Sequence, residues 1–256
     1  MSNTRIRIYS ASLIFGFFAM WEFLCIWLQV SDLILPRPTQ ILDTLWNRFP
    51  VLWPHIMQTL YSTMTGFSLG VLIGVTLGVM IGTSRLAYGV AYPLLVGFSS
   101  IPKVAVVPIF VLWFGSGTTP AILTAMVICV FPIVVNIATG LATTEPELED
   151  VLKTLGASRS EILWNVGLPR AMPYFFASLK VAVTLSFVGA VLSETVASNR
   201  GIGNVMMVAS SNFQTPLLFA GLIILALMGV ALYAFFSFLE SRVTGWATRK
   251  NDIAVT

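Results

Sequence analysis

Polar residues in this chain gather in one stretch, and that stretch divides everything else. Residues 143–173, TTEPELEDVLKTLGASRSEILWNVGLPRAMP, hold five of the eleven acidic residues and three of the fourteen basic ones. On either side the sequence is apolar. Only 10% of the 256 residues are charged, where a soluble domain carries about 25%, and the mean hydropathy is +0.88. A chain of this kind lives in lipid, where every backbone group has to be satisfied internally. At about 20 residues per crossing, six helices fit. They are predicted at about 8–30, 58–82, 88–114, 120–140, 174–197 and 216–240, making an all-α polytopic membrane protein with one transmembrane domain, 1–256.

The apolar runs carry their own marks. Arg5 and Arg7 precede a run too long for a signal-peptide core, with no small-residue cleavage site, so it reads as a retained first span. Glu22 within it has to face protein or water. Pro36, Pro38, Pro50 and Pro54 argue against a continuous span over the next stretch. Ile41, Leu45 and Phe49 recur there at helical spacing beside Trp46, which predicts a short helix on the membrane surface. The second span carries Gly66, Gly70, Gly74, Gly78 and Gly82 at a strict interval of four. Such a row leaves a groove into which a neighbouring helix backbone can pack closely.

Pro93, Pro102 and Pro108 interrupt the third span. Backbone irregularity in a membrane survives only against protein or a water-filled cavity, so Ser99, Ser100 and Lys103 on this broken piece are candidates for a pathway. Asn136 in the fourth span and Glu194 near the end of the fifth join them. Lys103 can attract an anion or pair with Glu22 or Glu194, the pairing being the plainer reading. Ser99, Ser100 and Asn136 can equally cross-link helices. The segment after the fifth span, SNRGIGNVMMVASSNFQ, reads as a turn and a short, partly inserted helix.

Basic residues orient the chain. Arg5, Arg7, Arg85, Lys153, Arg159, Arg170, Lys180, Arg242, Arg249 and Lys250 fall on one side of a six-span arrangement, and Arg37, Arg48 and Arg200 on the other. The positive-inside rule then makes both termini and the polar stretch cytoplasmic. Trp27, Trp46, Trp53 and Trp113 fall near the opposite interface as an aromatic belt. A net charge of +3 follows from this topology and implies no nucleic-acid partner.

Within the polar stretch, Thr144 with Glu147 and Ser158 with Glu161 form two capping boxes. Gly156 lies between them, where a helix end takes a left-handed residue. Pro169 and Pro173 are expected to end the second helix and open the fifth span. The result is a hairpin over 143–170, with Leu148, Val151, Leu152 and Leu155 in one apolar stripe. The residues alone leave open whether that stripe packs on the chain's own spans or in a partner's groove.

Gly156, nine residues, then Val166-Gly167-Leu168-Pro169 resembles the EAA loop of membrane subunits of binding-protein-dependent ABC importers. Asp150, Val151 and Leu152 stand at its Glu-Ala-Ala positions, a departure from the family pattern. Ile34-Leu35-Pro36-Arg37-Pro38, Ile101-Pro102-Lys103-Val104-Ala105, Leu112-Trp113-Phe114-Gly115, and Ser193-Glu194 with Gly201-Ile202-Gly203 resemble the nitrate/sulfonate/taurine permease group. The resemblance implies a MetI-like ABC permease fold in the inner membrane of a prokaryote. It also implies a cytoplasmic ABC ATPase dimer and a periplasmic or lipid-anchored solute-binding protein as partners, with a second permease subunit that is usually identical. Glu149, Asp150, Val151, Leu152, Gly156, Ala157, Leu168 and Pro169 would then couple to the ATPase. The implied solute is a small anion or a vitamin precursor. No P-loop is present, so nucleotide would be bound by the partner.

An ion-coupled secondary transporter is the alternative, but it calls for midplane carboxylates or histidines and often an inverted repeat, and neither is evident. A membrane-embedded enzyme lacks a nucleophile motif and a metal cluster. Cys25 and Cys129 read as small buried hydrophobes, and His55 suggests no role.

Overall fold

The computed structural model describes residues 3–142, 151–152 and 154–243. In order they form α1 (Asn3–Trp27), α2 (Pro38–Gly82), α3 (Arg85–Ser99), a 3-10 turn (Lys103–Val106), α4 (Val107–Phe114) and α5 (Thr118–Ala142). After residues 143–150 and 153, which lie outside the described residues, come α6 (Arg159–Ile162), a π turn (Leu163–Gly167), α7 (Leu168–Ala197), α8 (Ile202–Ser211) and α9 (Thr215–Val243).

The glycine row organises the core. All five glycines are buried, and all five face α5. A Cβ on Gly74 or Gly78 would lie 2.8 Å from the Cβ of Ile133 or Ile137, and one on Gly66 would lie 2.5 Å from the Cβ of Ala125. One on Gly70 would overlap the Cys129 sulfur. The four partners sit 59 residues further along the chain, at 125, 129, 133 and 137. A constant offset means that α2 and α5 run parallel and in register. By contrast, Gly140 meets Tyr174 and Gly189 meets Ala125, so α7 runs antiparallel to α5.

The parallel register decides what the broken segment does. α3 and the 3-10 turn with α4 meet at a bend of 79°, which suits either a broken crossing or a re-entrant loop. A re-entrant loop would return the chain to the side it left and make α2 and α5 antiparallel. Instead α5 begins beside Gln58, whose Nε2 donates to the Thr118 hydroxyl at 2.9 Å. The bent pair therefore crosses fully. With α2, α5, α9 and the helix Ser160–Ala197, it makes five crossings among the described residues.

α1 differs from its expected bounds, ending at Trp27 rather than residue 30, and its described apolar run, Ser12–Trp27, is shorter than a crossing. Of the six expected spans, the first is therefore not established by length and composition.

Two proline readings are corrected. Pro50 and Pro54 do not break the chain into a surface helix and a span. α2 is a single helix of 45 residues, about 68 Å long at 1.5 Å per residue. A proline frees the carbonyl four residues back, here those of Trp46 and Pro50. Both rings are exposed, so the freed carbonyls open away from the packed face, where Leu52 is buried with Ile202 and Ile224. Likewise Pro169 and Pro173 do not end a helix. The π turn, in which the Leu168 N–H donates to the Leu163 carbonyl, widens the backbone just before Pro169 and absorbs its missing donor.

Candidate functional site

Three clusters hold the chemistry of the described residues. The first is a cavity of about 450 Å³ at the elbow of the bent pair. Apolar side chains from α5 and α7 form most of its wall, and Ser99, Lys103 and Asn136 supply the polar groups. Asn136 donates to the Pro132 carbonyl, one turn back on the same helix, at 2.8 Å. Ser100 lies on the same elbow but outside the lining, with its hydroxyl donating to Val96 at 3.2 Å.

Lys103 is not paired with a carboxylate. Its Nζ donates to the Ser99 carbonyl at 2.9 Å and lies 5.1 Å from the centroid of the Phe131 ring. The break after α3 leaves carbonyls without intrahelical donors at the negative end of the helix. The ammonium supplies a donor there, and a cation–π contact supports it. Glu22 instead accepts from the backbone N–H (3.1 Å) and hydroxyl (2.9 Å) of Thr39, in the first turn of α2.

The second cluster is the turn at Gly156, which has φ +87°. The Ala157 N–H donates back to the Leu152 carbonyl at 3.0 Å, the six-to-one bond that closes a Schellman end. The Ser158 N–H donates to the Glu161 carboxylate at 2.7 Å, and the Glu161 N–H to the Ser158 hydroxyl at 3.3 Å. This is the reciprocal pair of a capping box. Val151 and Leu155 are 57% and 78% exposed and Leu152 is half-buried, so two of the three described stripe residues are not covered by the chain's own spans. Leu168 and Pro169 open α7, directly after the π turn. Glu149 and Asp150 lie outside the described residues, as do Thr144, Glu147 and Leu148.

The third cluster is centred on Glu194, which the sequence singled out, but its partners Thr59 and His55 on α2 were missed. Glu194 is 1% exposed, and its Oε2 accepts from the Thr59 hydroxyl at 2.7 Å and the Gly203 N–H at 3.2 Å. The same Thr59 oxygen accepts from the Ile202 N–H at 2.8 Å, and His55 Nδ1 from the Gly201 N–H at 3.2 Å. Side chains of α2 and α7 thus cap the first three donors of α8, in place of a local cap. Beyond Glu194 itself, the sequence signal was the pair Gly201 and Gly203. A Cβ on either would run into Glu194.

The basic residues sort by end. Arg170, Arg242 and the Lys180–Glu240 ion pair (2.5 Å) lie with the Gly156 turn, at the end where α2 and α5 finish. Arg200 lines a second cavity with His55, Gln58 and Asn199 at the opposite end.

Residues 70–245 match the family described as "Binding-protein-dependent transport system inner membrane component". The chain is 33% identical over 230 residues to a probable ABC transporter permease protein of Haemophilus influenzae, covering 90% of this chain and 94% of that protein. It is 36% identical to the riboflavin transport system permease protein RibX of Chloroflexus aurantiacus (83% and 80% covered). Identity to the taurine transport system permease protein TauC of Escherichia coli is 27% (85% and 82% covered). Among solved structures, a chain of the inward-facing MetNI methionine ABC transporter superposes with a TM-score of 0.68 at 17% identity, covering 77% of this chain and 98% of that one.

Proposed function

The chain belongs to the binding-protein-dependent transport system inner membrane components, and from that membership we infer how it works as the permease subunit of an ATP-driven importer of a small solute. It is a transport subunit, not an enzyme. An ATPase subunit hydrolyses the nucleotide and a binding protein presents the solute. The observation that carries this is the family match across residues 70–245, which takes in the elbow cavity, the Gly156 turn and, of the third cluster, Glu194 and the start of α8.

The end holding the Gly156 turn, Arg170, Lys180 and Arg242 is cytoplasmic, as its excess of basic residues supports. α1, 25 residues long and about 37 Å at 1.5 Å per residue, is the sixth crossing and starts in the cytoplasm. The hairpin 143–170 docks in a groove of the ATPase, and the exposed Val151 and Leu155 support this over packing on its own spans. Asp150-Val151-Leu152 form the leading face of that contact. A second copy of this chain completes the pathway, with Ser99, Ser100, Lys103, Asn136 and Glu194 as candidates along it. The solute is a small anion or a vitamin precursor; the taurine and riboflavin permeases among the relatives support that range.

In vesicles holding the purified complex, uptake is expected to require ATP and the binding protein, and to persist when ion gradients are collapsed. Uptake that follows an ion gradient and ignores an inactive ATPase would sink the reading. Lys103→Gln keeps a polar donor, one atom shorter, but removes the charge. If the ammonium attracts an anionic solute, uptake falls about tenfold, the scale of one hydrogen bond to a charged group, at unchanged yield of assembled complex. A parallel loss of folded protein would instead make Lys103 a brace of the elbow.

A further inference from the structure

The hairpin reading brings force to the cytoplasmic end of the chain but leaves open how it reaches the other end. The helix that follows the hairpin is continuous from Ser160 to Ala197, 38 residues and about 57 Å at 1.5 Å per residue. Its face bearing Leu185, Val188 and Leu192 lines the elbow cavity. Near its far end, one turn before it stops, stands Glu194.

What Glu194 holds is specific. Its Oε2 takes the Gly203 N–H and the Thr59 hydroxyl, and that hydroxyl oxygen takes the Ile202 N–H. α8 therefore has its first turn fastened to α7 by a side chain 9 residues away in sequence and to α2 by one 143 residues away. Gly201, with φ +103°, and Gly203 let the backbone press against the carboxylate. The other carboxylate oxygen, Oε1, is buried with no hydrogen-bond partner. A group fastened only for stability would be expected to use both oxygens, since an unmet buried acceptor is costly. A second cavity, of about 430 Å³ and lined by His55, Gln58, Asn199 and Arg200, adjoins this joint. Ile202 also links it to Leu52 of α2 and Ile224 of α9.

We propose that Glu194 is the positioning residue that carries hairpin movement across the membrane, α7 acting as the rod and α8 as the element moved at the outer end. The proposal rests on the importer reading. When the ATPase shifts the hairpin, the rod shifts with it, and the grip on Gly203 and Ile202 draws α8 and the adjoining cavity wall along.

The test is amide hydrogen exchange over residues 201–208 in the complex of this chain with the ATPase that co-purifies from its native membrane. Exchange is compared between the nucleotide-free complex and the complex trapped with ATP and orthovanadate. In the wild type, trapping should change exchange about tenfold, within the usual range of coupling between sites. Glu194→Ala should reduce that response to less than about twofold, near the limit of coupling, while Glu194→Gln, which keeps an acceptor for Thr59 and Gly203, should restore most of it. Should Glu194→Ala fail to assemble, Thr59→Val decides, because it removes the bridging hydroxyl at nearly constant volume and should also lose the response.

A wild-type response in Glu194→Ala or Thr59→Val overturns the linkage alone, as does a wild type that hydrolyses ATP without any change over 201–208. A chain that purifies with no ATPase, or whose ATPase ignores every binding protein offered, overturns the importer reading and the linkage together.

Discussion

Gly74→Leu is expected to leave almost no folded protein in the membrane. A Cβ alone at this position would lie 2.8 Å from both the Cβ and the Cγ2 of Ile133 and 3.3 Å from the Val130 carbonyl. Ile133 is fully buried, and its branched Cβ has no second rotamer that clears the space. A leucine adds three more carbons beyond that clash. Overpacking by even a methylene costs about 1–3 kcal/mol, against a net stability of about 5–15 kcal/mol, and in lipid no hydrophobic gain between helices offsets it. Monodisperse yield on size exclusion should fall at least about tenfold, the population effect of roughly 1.4 kcal/mol. Gly89→Leu is the control, since nothing lies within 4 Å of a Cβ there, and it should match the wild type. A Gly74→Leu protein recovered at wild-type yield would mean that the α2–α5 contact is not the core of the fold.

Gly156→Pro should separate ATP hydrolysis from solute movement. Proline fixes φ near −65°, whereas Gly156 has φ +87°, so the turn between Leu155 and Ala157 cannot close and the Ala157 bond to Leu152 is lost. The spans are untouched, because the turn projects from the bundle end and a Cβ at Gly156 would meet nothing within 4 Å. The complex should assemble and hydrolyse ATP, while solute carried per ATP falls about tenfold or more, a typical coupling magnitude. Gly156→Ala keeps the turn accessible at about 1–2 kcal/mol of left-handed strain and should fall between. Normal uptake in Gly156→Pro would remove this turn from the mechanism.

Some of this architecture was legible in the residues and some was not, for reasons that differ by position. The glycine row could be read because a four-residue period puts all five on one helical face whatever surrounds them, and close packing is the common use of such a face. The turn at Gly156 could be read because its caps are local. Pro50 and Pro54 were misread because a proline's effect depends on which face its ring takes, and only the packed partner decides that. The pairing expected for Lys103 failed because its acceptor is a backbone carbonyl exposed by the break beside it, not a side chain. Glu194 was noticed as a charge, but its bond to Thr59 spans 135 residues, and no spacing rule reaches that far.

The 59-residue offset between α2 and α5 carries one more consequence. Positions 66 and 125, 70 and 129, 74 and 133, and 78 and 137 each share a single allotment of space. Where a homologous chain enlarges one member of such a pair, the other should shrink. The bent pair between the helices enters none of these pairs, so its side chains are free of this constraint. Mutational histories of this family should therefore show four size-compensating pairs along one seam, and the bent crossing between α2 and α5 should vary independently of all of them.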